Sequence, residues 1–335
     1  MTFLEEIKDR ARKNLKTIVL PEAMDSRILK ATEIILQEKI ANIVLIGNKE
    51  EIEEKAKKEN INILGAMIVD PEKSEQKDNY ANLLLQTDQT ITNLSDAEEL
   101  IKNPVYFGML MVKANDADGF VSGAMNTTKN ILKTAMRIFK KDGTKILSTA
   151  LLMIIPNCEY GSKDGVFVYS DCALNESPGY LALSEIAISS AKTYEKFTNK
   201  PAKVAMLSYS TFGSATSNST EKVIKATERV KKKCPELMID GELQLDSSIV
   251  PEIAQRKSPN SVIKGEANVL IFPDINSGNI GCKLVERLAK AELYGPICQG
   301  LERPINDLSR GCSVDGIVGT ITITAVQAQY NKSEA

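Results

Sequence analysis

Short apolar runs alternate with helix-forming segments along most of this 335-residue chain, and that alternation constrains the fold more than any other feature. Residues 17–20 and 42–47 are apolar at nearly every position, and residues 27–37 between them have the pattern of a helix. Strands that are apolar on both faces occur in parallel sheets with helices on both sides. This region therefore predicts a strand–helix–strand unit of a parallel α/β sheet, which a helix at 48–58 and a strand at 66–69 extend.

The alternation continues towards the end of the chain, except that residues 70–100 are polar and irregular and support no assignment. Further strands are predicted at 117–121, 146–147, 151–155, 166–169, 204–207 and 269–272, and further helices near 132–139, 178–196, 219–232, 248–256 and 281–292. A final helix is expected after residue 311. Strands that alternate with helices specify a layered α/β architecture. A chain of this length exceeds one ordinary core, so two domains are expected.

The composition excludes several classes of protein. The 42 basic and 44 acidic residues nearly cancel, so the chain lacks the basic excess of a nucleic-acid-binding surface. Its apolar runs are too short to span a membrane, and residues 1–10 indicate an amphipathic helix rather than a signal peptide. The sequence contains no histidine, which excludes Ser-His-Asp and Cys-His catalysis. A general base must then be a carboxylate, lysine, tyrosine or cysteine.

Six cysteines are scattered along the chain without a C-x-x-C pair. They are Cys158, Cys172, Cys234, Cys282, Cys298 and Cys312. This spacing is typical neither of a zinc site nor of a disulfide framework. It predicts reduced thiols and a cytoplasmic protein.

The segment 295–311 has little apolar periodicity and places Ser309, Arg310 and Gly311 side by side. A guanidinium is a planar fork that binds two oxygens of a phosphate or carboxylate, and glycine lets a ligand approach the backbone. This segment therefore predicts an oxyanion-binding loop in front of the final helix.

A second loop of the same kind, 208–217, follows the predicted strand at 204–207. Its candidate ligand-binding residues are Ser208, Tyr209, Ser210, Thr211, Gly213 and Ser214. Hydroxyls and backbone amides at a helix N-terminus form anion sites, although a polar linker with helix caps explains the same composition. The loop matches neither the Walker pattern nor G-x-G-x-x-G.

Polar residues also follow other predicted strands, where ligands bind in open α/β folds. Asp274 and Asn276 are candidates on this ground, although turn chemistry explains them equally well. The loop 122–128, with Asn126 and Thr127, joins a strand end to a helix N-terminus.

Charged residues near these loops have simpler explanations. Lys129, Lys133 and Arg137 form a basic stripe on the following helix, which is usually a solvated face unless a cleft needs positive charge. Asp240 and Asp246 are interpreted as a turn and a helix cap rather than as Mg²⁺ ligands.

Several motifs, taken together and in order, resemble the phosphate acetyltransferase family. They are Pro304-Ile-Asn-Asp-Leu-Ser-Arg-Gly311, Phe272-Pro-Asp274, Gly278-Asn-Ile280, Ala205-Met-Leu-Ser-Tyr-Ser-Thr211, Gly213-Ser-Ala215, Asp240-Gly-Glu-Leu-Gln244 and Asp116-Ala-Asp-Gly-Phe-Val-Ser-Gly-Ala124. The similarity runs collinearly from about residue 2 to residue 329.

The resemblance implies reversible acetyl transfer, acetyl-CoA + phosphate ⇌ CoA + acetyl phosphate, through a ternary complex. It implies two α/β domains similar to those of isocitrate and isopropylmalate dehydrogenases, with the active-site cleft between them. Domain 1 would comprise 1–144 and 296–335, and domain 2 would comprise 145–295. It further implies a homodimer without a tightly bound cofactor or metal, in which coenzyme A is a substrate.

The resemblance also implies roles for the residues. Ser309, Arg310 and Asp315 are expected to be catalytic, and Lys133, Ser309, Arg310 and Cys312 are expected to bind CoA. The phosphate-binding set is expected to be Ser208, Tyr209, Ser210, Thr211, Gly213, Ser214, Asn126, Thr127, Asp274, Asn276 and Arg287.

The chain departs from the family pattern at ligand-facing positions. The family usually has histidine at Asn126, arginine at Lys133, and a further arginine near Thr87. An amide cannot carry charge, and lysine lacks the guanidinium fork. The family has an aspartate at the position of Gly316, whereas this chain has its aspartate one residue earlier, at Asp315. A shift of one residue is a rotation of about 100° around a helix.

These departures predict weaker binding of the CoA phosphates and altered or reduced activity. A phosphate butyryltransferase-like enzyme is one alternative. A catalytically weakened protein that binds CoA or acyl phosphate is the other.

Overall fold

A computed structural model describes residues 2–139, 146–160 and 165–330, without the side chains of Thr128 and Lys129. In the first part of the chain the elements are α1 (Phe3–Lys13), β1 (Thr17–Leu20), α2 (Ser26–Gln37), β2 (Asn42–Ile46), α3 (Lys49–Lys58), β3 (Met67–Val69), α4 (Lys77–Thr87), α5 (Leu94–Leu100), α6 (Pro104–Lys113), β4 (Gly119–Ser122) and α7 (Thr128–Phe139). They continue as β5 (Ser148–Ile154), β6 (Val166–Ser170), α8 (Tyr180–Thr198), β7 (Lys203–Leu207), α9 (Asn218–Lys233), β8 (Met238–Leu243), α10 (Leu245–Ile249), α11 (Pro251–Lys257), β9 (Val269–Ile271), α12 (Ile275–Leu288), β10 (Glu292–Gln299), β11 (Ile305–Asp307) and α13 (Val314–Tyr330).

The chain divides into two compact units, one formed by Met1–Asp142 with Leu301–Ala335 and the other by Gly143–Gly300. The first unit contains a five-stranded sheet in the order β11-β4-β1-β2-β3. All four strand pairs in this sheet are parallel. The central strands are buried on both faces, as the predicted continuous apolar runs require.

The final helix, α13, belongs to the first unit and packs against α1, α2 and β4. It is buried around much of its circumference, so its threonine hydroxyls need partners inside the helix. Thr320, Thr322 and Thr324 each donate to the carbonyl four residues earlier, at 2.7–2.9 Å. These bonds let a threonine-rich helix pack like an apolar one.

The second unit contains a six-stranded sheet in the order β10-β5-β6-β9-β7-β8. The strands β6, β9, β7 and β8 pair in parallel, whereas β5 pairs antiparallel with both β6 and β10. The layered α/β expectation is therefore confirmed, but this sheet is mixed rather than wholly parallel. Its core packs around Phe167, Tyr169 and Leu270, with Phe272 against Tyr169 at a ring-centroid distance of 5.5 Å.

Several sequence expectations were wrong in detail. The strands predicted at 146–147 and 151–155 are a single strand, β5, from Ser148 to Ile154. The region 70–100, which supports no assignment from the sequence, contains two helices, α4 and α5. The helix predicted at 248–256 is two short helices, and that at 281–292 begins at Ile275 and ends at Leu288.

The acidic positions of this unit also differ from expectation. Asp240 lies within β8 rather than in a turn, and its carboxylate accepts from the amide of Val262. Asp246 lies in the first turn of α10, whose N-cap residue is Gln244. Lys257 pairs with Asp246 at 2.7 Å. Within the described parts of the chain, no helix is both long and apolar enough to cross a bilayer.

Candidate functional site

Three loops of the first unit leave neighbouring strands at one edge of its sheet. Strands β1, β4 and β11 are adjacent and parallel, so the segments 21–25, 123–127 and 308–313 that follow them lie on the same side. Ligands in open α/β folds bind at this carboxyl edge. The fold thus brings together predicted site residues from the loop after β4 and the loop before α13, namely Asn126, Thr127, Ser309, Arg310 and Cys312.

The loop after β4 forms a ring of amides that point at one carboxylate, that of Glu22. Oε2 of Glu22 accepts from the amides of Gly123 and Ala124 at 2.8 Å, and Oε1 accepts from those of Met125 and Asn126 at 2.9 and 2.8 Å. The Asn126 side chain adds a fifth bond, from Nδ2 to Oε1 at 2.9 Å. Successive amides of this kind form an anion-binding nest. Here the anion is a buried side chain of the protein itself.

This arrangement changes the interpretation of Asn126. The family resemblance implies that Asn126 and Thr127 bind phosphate. In the structure the backbone and side-chain amides of Asn126 bind Glu22, while Thr127 is exposed. Gly123 is required at its position, since its φ is +121° and an added Cβ would lie 2.3 Å from Oδ1 of Asp307.

Arg27, in the first turn of α2, joins this loop to the loop before α13. Nη1 donates to the carbonyl of Arg310 at 2.8 Å and to that of Cys312 at 3.2 Å, and Nη2 donates to the carbonyl of Ala124 at 2.9 Å. Nε and Nη2 also bind the carboxylate of Asp25 at 3.0 and 2.7 Å. This contact lowers the pKa of the Asp25 carboxyl, and burial opposes the shift.

The segment around Ser309 and Arg310 is the predicted oxyanion-binding loop. Ser309 is half-buried and Arg310 is exposed, so the guanidinium is accessible to a ligand. Cys312 is half-buried beside Arg27, and burial raises the pKa of its thiol. The helix α13 begins at Val314, which places exposed Asp315 in its first turn. A carboxylate in the first turn is stabilised by the helix dipole.

The predicted basic stripe on α7 is only partly available. Lys133 is exposed, whereas Arg137 lies 3.7 Å from the carboxylate of buried Asp88. The side chain of Lys129 lies outside the described residues. Lys133 is therefore the cation of this stripe that the structure places in solvent.

The predicted anion loop of the second unit, which follows β7, also binds an internal carboxylate. Ser210 Oγ donates to Oε1 of buried Glu242 at 2.9 Å, and the amide of Gly213 donates to the same oxygen at 2.7 Å. The amide of Ala215 donates to Ser210 Oγ, and that of Thr211 donates to Ser214 Oγ, both at 3.0 Å. The loop is thus held by its own hydrogen bonds.

Other groups of this loop face outwards. Tyr209 is 59% exposed, and its hydroxyl donates to Ser217 Oγ at 2.9 Å. The Ser208 hydroxyl accepts from the amide of Ser210 at 3.3 Å, which leaves its proton to donate elsewhere. This loop therefore presents side-chain hydroxyls, among them those of Ser208 and Tyr209.

The remaining candidates lie on α12. Asp274 is the N-cap residue and accepts from the amide of Ser277 at 2.9 Å, so the cap explanation accounts for its carboxylate. Asn276 is exposed at the same end. Arg287 is in the last turn of the helix, about 20 Å from Asp274 along the axis, and is exposed beside Glu286. The structure does not bring Arg287 together with Asp274.

Sequence reasoning missed three residues that organise these loops: Glu22, Arg27 and Glu242. Glu22 lies just beyond the carboxyl end of β1, and Arg27 lies in the first turn of the helix that follows; this position is a signal that could have identified them. In the described parts of the chain, no three Cys, Asp or Glu side chains form a group that could hold a metal ion.

The fold and its loops define an α/β protein that presents hydroxyls and cations at the carboxyl edge of parallel strands, as enzymes acting on small anionic substrates do. The family described as phosphate acetyl/butaryl transferase matches residues 2–325, and the chain belongs to this family. The phosphate acetyltransferase of Acetivibrio thermocellus is 54% identical over 336 aligned positions, which cover 99% of this chain and 100% of that protein.

Solved structures agree with this assignment. A phosphotransacetylase from Streptococcus pyogenes superposes with a TM-score of 0.90 at 35% identity, covering 98% of both chains. A putative 4-hydroxythreonine-4-phosphate dehydrogenase from Salmonella typhimurium shares the fold, with a TM-score of 0.54 at 12% identity over 93% of this chain and 99% of that one. The expected dehydrogenase-like architecture and the expected family are therefore confirmed.

Proposed function

We propose that this chain is a phosphate acetyltransferase, which catalyses acetyl-CoA + phosphate ⇌ CoA + acetyl phosphate. The observation that carries the proposal is the family match over residues 2–325, with 54% identity to an acetyltransferase along its whole length. The acetyltransferase relative favours acetyl over a longer acyl group. The exposed guanidinium of Arg310 beside the Ser309 hydroxyl supplies donors for a phosphoryl group.

In the direction of acetyl-CoA synthesis, the CoA sulfur attacks the acetyl carbonyl carbon of acetyl phosphate. A C–S bond forms, the C–O bond to phosphate breaks, and the thiol proton leaves to a base. Arg310 balances the charge of the departing phosphate, and the Ser309 hydroxyl donates to an oxygen that gains charge in the transition state. We assign Asp315 as the base and Lys133 and Cys312 to CoA binding.

Side chains, rather than backbone amides, bind phosphate in this proposal. The amides after β4 bind Glu22, and those around Gly213 bind Glu242 or neighbouring hydroxyls. From the second loop we assign Ser208, Tyr209, Thr211 and Ser214 to substrate binding, although the Thr211 side chain is buried. We also assign three residues of α12 and its N-cap to substrate binding because they lie at the surface: Asp274, Asn276 and Arg287.

The reaction needs no tightly bound cofactor, because CoA enters as a substrate. We also place the enzyme in the cytoplasm, because its six cysteines are free thiols.

We further propose that the enzyme is a homodimer. Ile280, Leu284 and Leu288 are spaced four apart on α12 and are 60%, 53% and 80% exposed. Residues at this spacing form one apolar row, and exposed apolar rows are typical of contact surfaces. Light scattering should show a dimer for the wild type and a monomer for Leu284→Glu. A dimer that persists in Leu284→Glu would exclude this apolar row as the dimer interface.

The test of the function is phosphate-dependent thiol release from acetyl-CoA. We expect the wild type to turn over and Arg310→Ala to be inactive. Arg303→Ala, a matched change seven residues earlier in the same unit, should keep a turnover rate within a few-fold of the wild type. Asp315→Asn should lower kcat by about 10²- to 10⁴-fold as expected for loss of a general base. Full activity of Arg310→Ala would exclude the assigned anion site, and faster turnover with butyryl than with acetyl phosphate would favour the butyryltransferase alternative.

A further inference from the structure

We propose that Arg27 is a positioning residue for acetyl transfer, which holds the 309–312 loop, and with it Arg310, in the geometry that the reaction needs. The inference rests on the function proposed above. Arg27 has no predicted contact with a substrate, since its guanidinium is directed at protein carbonyls and at Asp25. Its effect on the reaction is therefore transmitted through the backbone of the loop.

The guanidinium of Arg27 uses all of its donor directions. Two donors bind the two oxygens of Asp25, which fixes the plane of the guanidinium at the start of α2. The other donors bind carbonyls of Arg310, Cys312 and Ala124, at 2.8, 3.2 and 2.9 Å. One rigid group thus joins three segments that follow three different strands, and lysine could not replace it because an ammonium has no planar fork.

Packing does little to hold the 309–312 loop at Gly311. An added Cβ at Gly311 would have Ser309 Oγ, at 4.0 Å, as its nearest neighbour, and Gly311 is exposed. Within the loop, the amides of Gly311 and Cys312 bond to Ser309, at 3.4 and 2.9 Å. These local bonds shape the turn but do not attach it to the sheet. The bonds from Arg27 to the carbonyls on either side of Gly311 provide that attachment.

Loss of this attachment should therefore act on turnover more than on folding. A displacement of about 1 Å in a catalytic group is enough to lower a rate by about 100-fold. We expect Arg27→Ala to lower kcat by about 10- to 100-fold on this basis. The KM for acetyl-CoA should change by much less than kcat, because Arg27 itself does not bind substrate.

Arg12 provides a matched control in the same unit. Its side chain is 33% exposed against 31% for Arg27, and it likewise binds carboxylates and a backbone carbonyl, those of Asp9 and Glu38. The experiment compares the wild type, Arg12→Ala, Arg27→Ala and Arg27→Lys by kcat, KM and thermal midpoint. Added guanidinium ion, well below denaturing concentrations, is then tested for rescue of each alanine variant.

We expect Arg12→Ala and Arg27→Ala to lower the thermal midpoint similarly, but only Arg27→Ala to lose kcat. Guanidinium should restore part of that loss, and Arg27→Lys should remain well below the wild type. Hydrogen exchange of peptides covering 309–313 gives a readout that does not depend on activity, and exchange there should be faster in Arg27→Ala than in Arg12→Ala.

Two results would overturn the inference while the wild type is active: kcat of Arg27→Ala equal to that of Arg12→Ala, or a loss confined to KM. Unchanged exchange of 309–313 in Arg27→Ala would also overturn it. An inactive wild type would instead refute the proposed function, and the exchange measurement would still report whether Arg27 holds the loop.

Discussion

The carboxylate of Glu22 gives the most direct test of the loop after β4. It accepts five N–H donors, two at Oε2 and three at Oε1, all at 2.8–2.9 Å. The donors at Oε2, the amides of Gly123 and Ala124, are buried. The perturbation is Glu22→Gln, which keeps the size of the side chain and replaces one oxygen by an NH₂ group.

The expected cost follows from these contacts. In either orientation of the glutamine amide, its NH₂ group faces at least two N–H donors, which lose their acceptor. A buried donor without an acceptor costs about 1–3 kcal/mol, so Glu22→Gln should lower the free energy of unfolding by about 2–5 kcal/mol. Glu22→Ala should cost a similar amount or more, because all five donors lose their partner.

The assay is urea unfolding followed by circular dichroism, with Glu33→Gln as the matched control. Glu33 accepts a single amide, that of Asn62, at 2.8 Å in an exposed setting. Its replacement should cost less than about 1 kcal/mol. A loss for Glu22→Gln no larger than that for Glu33→Gln would refute the reasoning.

A second arm of this test uses a ligand. Glu22→Ala removes a group the size of acetate, so added acetate can occupy the vacated nest. Acetate at ten times its dissociation constant would restore about 1.4 kcal/mol to this variant. Equal stabilisation of Glu22→Ala and the wild type by acetate would mean that the nest does not bind an external anion.

Two further predictions concern the same loops. In urea unfolding, Gly123→Ala should lower the free energy of unfolding by more than about 3 kcal/mol, because the added Cβ would lie 2.3 Å from Asp307 Oδ1. Gly213→Ala should cost only about 1 kcal/mol, for backbone strain alone, because Gly213 has a φ of +82° and no atom within 4 Å of an added Cβ. The hydrogen bond from Arg27 lowers the pKa of the Asp25 carboxyl. The contribution of this ionised carboxylate to stability is therefore present above the ordinary carboxyl pKa and is lost as pH falls through the lower, folded-state value. Between pH 7 and pH 2.5 the wild type should lose more stability than Asp25→Asn, and equal losses in pH-dependent unfolding would contradict this.

The sequence predicted the parts of the fold that depend on apolar patterning. Strands β1, β2 and β7 are continuous apolar runs, and such runs need a sheet covered on both sides. The helices between them were predicted because amphipathic periodicity repeats over three or more turns. Both signals are local in the chain, so a single sequence contains them.

Strand β11 escaped prediction because its pairing depends on distant partners. Two of its three residues, Asn306 and Asp307, are polar and fully buried. Nδ2 of Asn306 donates to Thr324 and to Gln327 on α13, at 2.8 and 2.9 Å. The buried amide of Asn306 is therefore satisfied by a helix that follows the strand. Nothing in the local sequence indicates that.

The candidate site was predictable to the same extent. The positions of the loops followed from the strand ends, and the anion-loop character of 208–217 followed from its Gly, Ser and Thr content. The carboxylates that these loops bind did not follow from the local sequence. Glu22 lies about a hundred residues before the amides that it binds, and Glu242 lies about thirty residues after Ser210. A nest and its anion from different elements are brought together only by the fold.

These internal carboxylates also set the charge that a substrate encounters. Glu22 and Asp25 carry two negative charges beside the carboxyl ends of β1 and β4, and Arg27 compensates one of them. A phosphate approaching this edge is therefore repelled unless exposed cations outweigh the remaining charge. Among the described residues, Arg310 in the loop before α13 and Lys133 on α7 are exposed cations of the segments that follow β11 and β4. Phosphate affinity should for this reason depend steeply on both of them, and more steeply at low ionic strength than at high, because exposed charges are screened by salt.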